Sequence, residues 1–178
     1  MIIVSNYLLD KTDLHFPDHV VVRVNVAWQK DLEQLRGILK NTRHDIYLDY
    51  PQGRTKPPKP KISLAETIAM AHQFPRVKYF AVSNVEDPEN IFKIKERLPA
   101  HIEIVPKIET ELGIHNLEQI VQKIQNKYIM FDKEDLYIDV NRDAEKFENL
   151  VNLTKKKGKE IGIKILDLHG VVFLPYQS

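Results

Sequence analysis

The stretch HIEIVPKIETELGIHNLEQIVQKIQNKYIMF, residues 101–131, decides the fold class, because it combines a strand pattern, a helix pattern and a second strand pattern. Ile102–Val105 and Tyr128–Phe131 are short apolar runs of the strand type. Between them, apolar residues recur at helical spacing at Leu117, Ile120, Val121 and Ile124. A helical crossover of this kind joins parallel strands and packs on a face of the sheet. The stretch therefore predicts a parallel α/β fold.

The same alternation runs along the whole chain. The predicted strands are Ile2–Ser5, Val20–Val24, Ile46–Asp49, Lys78–Ser83, Ile102–Val105, Tyr128–Phe131 and Ile161–Ile165. The predicted helices are Trp28–Lys40, Ser63–Gln73, Pro88–Arg97, Asn116–Ile124 and Ala144–Lys157. Ser63, three residues before Glu66, and Asp87, directly before Pro88, are typical helix starts. Because we find no internal repeat and no domain boundary, we predict a single domain over residues 1–178.

Charge and composition exclude several classes of function. The chain has 26 basic and 25 acidic side chains, so its formal net charge of +1 recruits neither nucleic acid nor an anionic membrane. Its 178 residues include no cysteine, which excludes disulfides, a thiolate nucleophile and cysteine-ligated zinc. No stretch reaches the ~18 apolar residues of a membrane span. We expect a cytoplasmic protein without a nucleic-acid or membrane partner.

Polar residues recur at the same end of five of the predicted strands. They are Arg23 and Asn25, then Asp49, then Ser83 and Asn84, then Lys107 and Glu109, and finally Asp132, Lys133, Glu134 and Asp135. Any one of them alone is typical of a helix cap or a solvated turn. In parallel sheets and barrels, however, ligands bind at the carboxyl ends of the strands. Five such ends together predict the lining of one site.

The segment YPQGRTKPPKPK, residues 50–61, leaves two interpretations open. Its prolines and glycine are typical of a stiff, solvated loop between a strand and a helix. Alternatively, Arg54 and Lys56 lie just beyond a strand end, where they could reach an anion.

Four segments in a fixed order resemble a known superfamily. They are VVVRVN (20–25), IYLDYPQGRTK (46–56), PKIETELGIHNLEQI (106–120) and YIMFDKEDLYIDV (128–140). Together they resemble the phosphoenolpyruvate- and pyruvate-binding barrels, which include pyruvate kinase, the HpcH/HpaI-type class II aldolases and the citrate lyase β-subunit. The resemblance implies a TIM-type (β/α) barrel. Because only about seven parallel strands are recognisable and eight close such a barrel, we expect a reduced or incomplete one. The apolar tail Val171–Leu174, or a second copy of the chain, would cover the open edge.

The resemblance also implies roles for individual residues. Glu109 and Asp135 match the two carboxylates that hold a divalent metal, Mg²⁺ or Mn²⁺. Lys107 matches a lysine beside the reacting group, which would stabilise or protonate an enolate. Arg23 matches a catalytic contact to the substrate anion. The predicted substrate-binding residues are Arg23, Asn25, Asp49, Arg54 and Lys133.

Differences from the superfamily pattern argue against one of the activities found in that superfamily. Residues 50–62 are a loop where pyruvate kinase carries its inserted domain, and Ala27 and Trp28 replace a serine and a histidine. Both differences argue against ATP-linked phosphoryl transfer. Lys133 and Glu134 replace a glycine that lets the backbone approach the substrate carboxylate.

Two functions remain open at this point. The first is a metal-dependent lyase or aldolase that acts on a pyruvate- or oxaloacetate-like 2-keto acid through an enolate. The second is a catalytically degenerate barrel that serves as a binding or scaffolding module, in which Lys107 and Glu109 simply pair at a strand end.

Overall fold

The computed structural model describes residues 2–9, 17, 19–54 and 57–167. In this part of the chain, seven parallel strands form one curled half-barrel, and they lie side by side in sequence order. The strands are β1 (Ile2–Ser5), β2 (Val20–Asn25), β3 (Asp45–Tyr50), β4 (Val77–Val82), β5 (Glu103–Ile108), β6 (Tyr128–Phe131) and β7 (Lys164–Asp167). The prediction of an incomplete TIM-type barrel is therefore confirmed.

Helices alternate with the strands. They are α1 (Asn6–Leu9), α2 (Leu32–Asn41), α3 (Leu64–Gln73), α4 (Pro88–Lys95), α5 (Glu111–His115), α6 (Leu117–Ile124), α7 (Lys133–Asp139) and α8 (Ala144–Glu160), with a short 3₁₀ helix at Val26–Trp28. Both predicted helix starts are confirmed. Ser63 and Glu66 form a reciprocal capping box at α3, and the Asp87 side chain accepts a hydrogen bond from the Glu89 N–H at α4.

The core has two parts, one on each face of the curled sheet. The larger part lies between the sheet and the helices and includes Val22, Leu48, Phe80, Ile104 and Phe131. The smaller part is an apolar layer inside the curl, formed by Val21, Tyr47, Ala81, Val105 and Met130. Successive residues of a strand point to opposite faces, so each strand contributes to both parts. We call the smaller part the inner apolar layer.

The main differences from the predicted elements concern β5, β7 and α7. Strand β5 continues to Ile108 and includes Lys107, because the charge of that lysine is neutralised by partners inside the curl. The strand predicted at Ile161–Ile165 begins only at Lys164, since α8 runs on to Glu160 and Gly162, with a positive φ of 69°, turns the chain. Helix α7, which carries Asp135, was not predicted at all.

Some predictions fall on residues outside the described part of the chain. They include Lys56 and the tail strand Val171–Leu174. Among the described residues, no helix is long and apolar enough to cross a membrane. The cytoplasmic location stays a prediction.

Candidate active site

A layer of polar side chains lies next to the inner apolar layer, toward the carboxyl ends of the strands. On each of five strands the polar residue comes two positions after an apolar one: Arg23 after Val21, Asp49 after Tyr47, Ser83 after Ala81, Lys107 after Val105, and Asp132 after Met130. Residues two apart share a face of a strand. The sheet therefore brings one polar residue from each of these strands or strand ends to the same face.

Arg23 and Asp49 form an ion pair between β2 and β3. Arg23 donates from Nε to Asp49 Oδ2 at 2.8 Å, and its Nη2 contacts the same oxygen. Asp49 is fully buried. Burial alone would raise the pKa of this carboxyl, but the charges of Lys107 and Arg23 outweigh it and hold the pKa below its usual range. Asp49 is therefore a buried carboxylate.

Lys107 lies at the centre of the polar layer. Its side chain is only 6% exposed, and its Nζ lies 2.7 Å from Glu109 Oε1 and 3.9 Å from Asp49 Oδ2. It also donates a hydrogen bond to Ser83 Oγ at 3.0 Å. Burial lowers the pKa of Lys107, but the two carboxylates more than offset this, so the net pKa lies above the ordinary value. Lys107 thus provides a fixed positive charge.

Three carboxylates meet beside Lys107. One oxygen from each of Glu109, Asp132 and Asp135 lies within 4.8 Å of the others. Glu109 follows β5 and is buried, whereas Asp132 and Asp135 belong to the start of α7 and are half-buried. We call these residues the acidic triad. The Asp132 side chain is the N-cap of α7 and accepts a hydrogen bond from the Asp135 N–H at 3.3 Å, so one local structure presents both aspartates.

The acidic triad has the chemistry of a divalent-metal site. Hard cations such as Mg²⁺ and Mn²⁺ take carboxylate oxygens as ligands. Burial raises the pKa of Glu109 and the charge of Asp132 adds to this, although Lys107 and the Asn84 N–H oppose it. The net rise in pKa indicates that burial, with a smaller contribution from Asp132, disfavours the negative charge of Glu109 when no cation is bound. A bound cation would remove that penalty, so the donor set fits a divalent metal.

A cleft of about 240 Å³ opens next to the acidic triad. Its lining includes Arg54, Ser83, Asn84, Lys107, Glu109 and Asp135. The Arg54 guanidinium is held by hydrogen bonds to the carbonyls of Pro57 and Pro58, at 3.1 and 3.0 Å. One wall of the cleft is therefore acidic, and Arg54 and Lys107 supply cationic groups to the rest.

The structure separates the predicted site residues into two groups. Lys107, Glu109, Asp135 and Arg54 line the cleft. Arg23 and Asp49 do not line it, but they connect to it through Lys107. Asn25 is also absent from the cleft lining, and its Oδ1 accepts the Ala27 N–H at 2.9 Å and caps the 3₁₀ helix. Lys133 is the first residue of α7, next to the triad but outside the cleft lining.

The sequence analysis counted Asp132, Ser83 and Asn84 among the polar residues at the strand ends that line the predicted site. It gave none of the three a role there, so Asp132 was missed as a metal-ligand candidate. The signal that would have found Asp132 and Ser83 is their two-residue spacing from Met130 and Ala81 on the inner face. Asn84 gave no such signal, since its position depends on a turn.

The fold and the position of the site define the structural class. Sequentially ordered parallel strands curl into an incomplete barrel, and the polar layer lies at their carboxyl ends, as in TIM barrels. No protein-family model matches the chain.

Comparison with individual proteins agrees with this class. The chain is 27% identical over 107 residues to pyruvate kinase from Thermotoga maritima, an alignment that covers 57% of this chain and 22% of the kinase. Macrophomate synthase shares the fold with a TM-score of 0.62 at 15% identity, over 84% of this chain and 63% of the synthase. The citrate synthase SbnG superposes with a TM-score of 0.64 at 15% identity, over 85% of this chain and 68% of that one. An HpcH/HpaI aldolase/citrate lyase family protein from Burkholderia cenocepacia gives a TM-score of 0.64 at 10% identity, covering 83% and 70%.

These similarities confirm the resemblance to the phosphoenolpyruvate- and pyruvate-binding barrels. At such low identities, the structural matches establish the fold alone. The chain spans only about a fifth of the kinase, so that protein's whole activity does not transfer to it.

Proposed function

We propose that this protein is a divalent-metal-dependent lyase or aldolase that acts on a pyruvate- or oxaloacetate-like 2-keto acid. The observation that carries the proposal is the acidic triad, which lies beside the buried charge of Lys107 in a cleft at the carboxyl ends of the strands. The proteins that share this fold include a member of the aldolase/citrate lyase family. This similarity favours a lyase or aldolase reaction over the other reactions that the same fold supports.

In this proposal Glu109, Asp132 and Asp135 hold Mg²⁺ or Mn²⁺. The ion would supply Lewis-acid polarisation of the keto acid, which lowers the barrier to the enolate. Lys107 places a fixed positive charge beside the position where negative charge develops. Its raised pKa favours this electrostatic role over rapid proton donation.

The other cationic groups orient the substrate. Arg54 faces the cleft and is held by two carbonyls, so its remaining N–H groups could bind a substrate carboxylate without a large loss of side-chain entropy. Arg23 fixes Asp49, which in turn helps to keep Lys107 charged. In this proposal Arg23 acts as a positioning residue, whereas the resemblance implies a direct contact to the substrate anion.

Calorimetric titration of Mn²⁺ and oxalate, a planar mimic of the pyruvate enolate, tests the proposal. We expect oxalate to bind only with Mn²⁺ present. Glu109→Gln and Asp132→Asn should each weaken Mn²⁺ binding by about tenfold or more, the scale on which metal sites respond to altered ligation. Asparagine caps helices as well as aspartate does, so Asp132→Asn keeps α7 in place.

The matched control is Glu118→Gln, which removes the same charge from the exposed face of α6. It should bind Mn²⁺ and oxalate as the wild type does. Equal affinity in the wild type, Glu109→Gln and Asp132→Asn would contradict the proposal.

One observation favours the second candidate, a degenerate barrel that binds or scaffolds a partner. The Lys107 ammonium and the Glu109 carboxylate already neutralise each other at 2.7 Å. A buried pair of this kind persists without any ligand. Absence of Mn²⁺ and oxalate binding in the wild type would favour this candidate over the enzyme.

A further inference from the structure

Asn84, directly after Ser83 at the end of β4, has an unusual backbone conformation. Its φ is 52°, in the left-handed region that few residues other than glycine adopt. Asparagine tolerates this region better than most side chains. Such conformations persist where the surrounding contacts over-determine them, and they often occur at functional sites.

The contacts of Asn84 extend in two directions. Its backbone N–H donates a hydrogen bond to Glu109 Oε2 at 2.8 Å. Its side-chain Nδ2 donates to the carbonyl oxygen of Gln52 at 2.8 Å. In this left-handed conformation, one residue contacts both a member of the acidic triad and the segment after β3.

The segment reached by the side chain is the β3 loop, which we define as residues 51–54. It packs closely on Asn84, because a Cβ atom at Gly53 would lie 3.4 Å from Asn84 Nδ2. Gly53 itself has a positive φ of 67°. Arg54, the next residue, lines the same cleft as Asn84 and Glu109. Asn84 thus links Glu109 of the acidic triad to the β3 loop that carries Arg54.

We propose that Asn84 is a positioning residue that aligns the metal ligand Glu109 with the substrate-facing Arg54. The inference rests on the proposed function and assigns separate roles to the backbone and the side chain of Asn84. The backbone N–H orients the carboxylate and so supports metal binding. The side-chain amide holds the β3 loop and so supports binding of the substrate anion.

Two substitutions separate these contributions. Asn84→Gly keeps the N–H and the left-handed conformation but removes the amide. We expect Mn²⁺ affinity to stay within about twofold of the wild type, whereas oxalate affinity in the presence of Mn²⁺ falls by about tenfold or more, as for other supporting residues around metal sites. Asn84→Ala also disfavours the conformation, so it should weaken Mn²⁺ binding as well.

Asn141 provides the matched control. It is exposed and has a φ of 55°, and its backbone N–H donates to Ile138 rather than to the acidic triad. Asn141→Gly and Asn141→Ala repeat the same chemical changes in the same backbone conformation. Both should leave the Mn²⁺ and oxalate affinities unchanged. If a general loss of stability caused the weaker binding, the Asn141 variants would lose affinity as the Asn84 variants do.

A metal-free readout keeps this inference separate from the proposed function. The ¹⁵N relaxation of the Gly53 amide should show a rigid β3 loop in the wild type and faster motion in Asn84→Gly. A Gly53 amide that stays equally rigid in Asn84→Gly would overturn the role of Asn84 in holding the β3 loop, whether or not the protein binds Mn²⁺. A wild type that binds no Mn²⁺ would refute the proposed function separately. Unchanged oxalate affinity in Asn84→Gly, with Mn²⁺ bound, would overturn the positioning role.

Discussion

Lys107 shows how one buried charge can serve both the fold and the site. Its ammonium group contacts a carboxylate on its own strand end, a carboxylate on β3 and a hydroxyl after β4. Asp49 depends on this charge in part, because the charges of Lys107 and Arg23 together outweigh the effect of burial on its pKa. Removing the lysine would leave the buried Glu109 carboxylate without its cation, and Asp49 would keep only Arg23.

We predict that Lys107→Met destabilises the fold by about 3–5 kcal/mol, the usual effect of removing one partner of a buried ion pair. Denaturant unfolding monitored by circular dichroism measures this change. The double variant Lys107→Met/Glu109→Gln should recover part of the loss, since it removes one unpaired carboxylate. The control is Lys123→Met, which breaks the partly exposed ion pair with Glu89 and should change stability by at most about 1 kcal/mol. Similar effects of the two single substitutions would contradict the account.

The pKa of Glu109 gives a pH dependence with a definite sign. Burial raises this pKa above its ordinary value of 4.5, so a proton competes with a cation for the carboxylate at a higher pH than usual. We predict that Mn²⁺ affinity weakens as the pH falls from 7 and that the loss begins above 4.5. Lys107, whose pKa is raised above 10.5, keeps its charge throughout this range.

The same shift has the opposite effect on the metal-free fold. The folded protein holds the Glu109 proton more tightly than the unfolded chain does, so the contribution of Glu109 to stability declines as the pH rises through this range. Calorimetry in buffers of different ionisation enthalpy measures the proton released on Mn²⁺ binding. An affinity independent of pH between 7 and 4.5, with no proton release, is the result that this account excludes.

At the scale of residues, the sequence was sufficient to place Glu109, Asp135, Lys107 and Arg54 around one cleft. It was not sufficient to identify Asp132 as a metal-ligand candidate. An aspartate ahead of a helix is adequately explained as an N-cap, and here Asp132 does cap α7. The sequence also could not show that the Asn84 backbone N–H donates to the Glu109 carboxylate. Every residue except proline has a backbone N–H, so this hydrogen bond leaves no pattern in the residue types.

At the scale of elements, two helical glycines have opposite roles. A Cβ atom at Gly113 on α5 would lie 2.7 Å from the backbone oxygen of Val85, whereas a Cβ atom at Gly37 on α2 would meet nothing within 4 Å. Of these two glycines, Gly113 is therefore the one that close packing requires. Helix α5 directly follows Glu109 and Thr110, so its position affects the site.

We predict opposite signs for the same substitution at these positions. Gly113→Ala should destabilise the fold by about 1–3 kcal/mol, because the backbone must shift. Gly37→Ala should stabilise it by about 0.5–1 kcal/mol, because alanine loses less conformational entropy in a helix. Thermal and denaturant unfolding of both variants provide the test, and destabilisation by Gly37→Ala or a neutral Gly113→Ala would count against the packing described here.

Element boundaries were predictable where a capping residue marks them. Ser63 and Asp87 start α3 and α4 as predicted, because their side-chain bonds are local. Strand β5 extends past the predicted end, since the carboxylates that neutralise Lys107 come from β3 and from the residue after β5. Helix α7 was missed because its first turn is rich in charge and resembles a solvated loop.

At the scale of the whole molecule, the half-barrel has two edges to cover. Within the described residues, β1 pairs only with β2 and β7 pairs only with β6. Unpaired strand edges invite association. The parallel α/β class followed from the alternation of patterns in the sequence, and the incomplete barrel followed from the resemblance to the superfamily. How the barrel closes did not follow, because closure depends on long-range pairing that no local pattern records.

We predict that the protein forms a homo-oligomer that covers an open edge. Sedimentation velocity over a range of concentrations should show a species larger than the 20.8 kDa chain. The melting temperature should rise with protein concentration, since association stabilises the folded state by mass action. A monomer at all concentrations, with a constant melting temperature, would contradict this prediction.

We infer that the acidic triad, with a bound divalent ion, and Lys107 together stabilise the enolate of a 2-keto acid, while the solvent takes up the C3 proton. The exchange of the C3 protons of pyruvate into D₂O, followed by ¹H NMR in the presence of Mg²⁺, tests this inference. We expect exchange that requires the protein, stops on chelation of the metal, is lost in Glu109→Gln and is retained in Glu118→Gln. Exchange in the wild type no faster than in protein-free buffer with Mg²⁺ would contradict the claim and leave the barrel as a binding module.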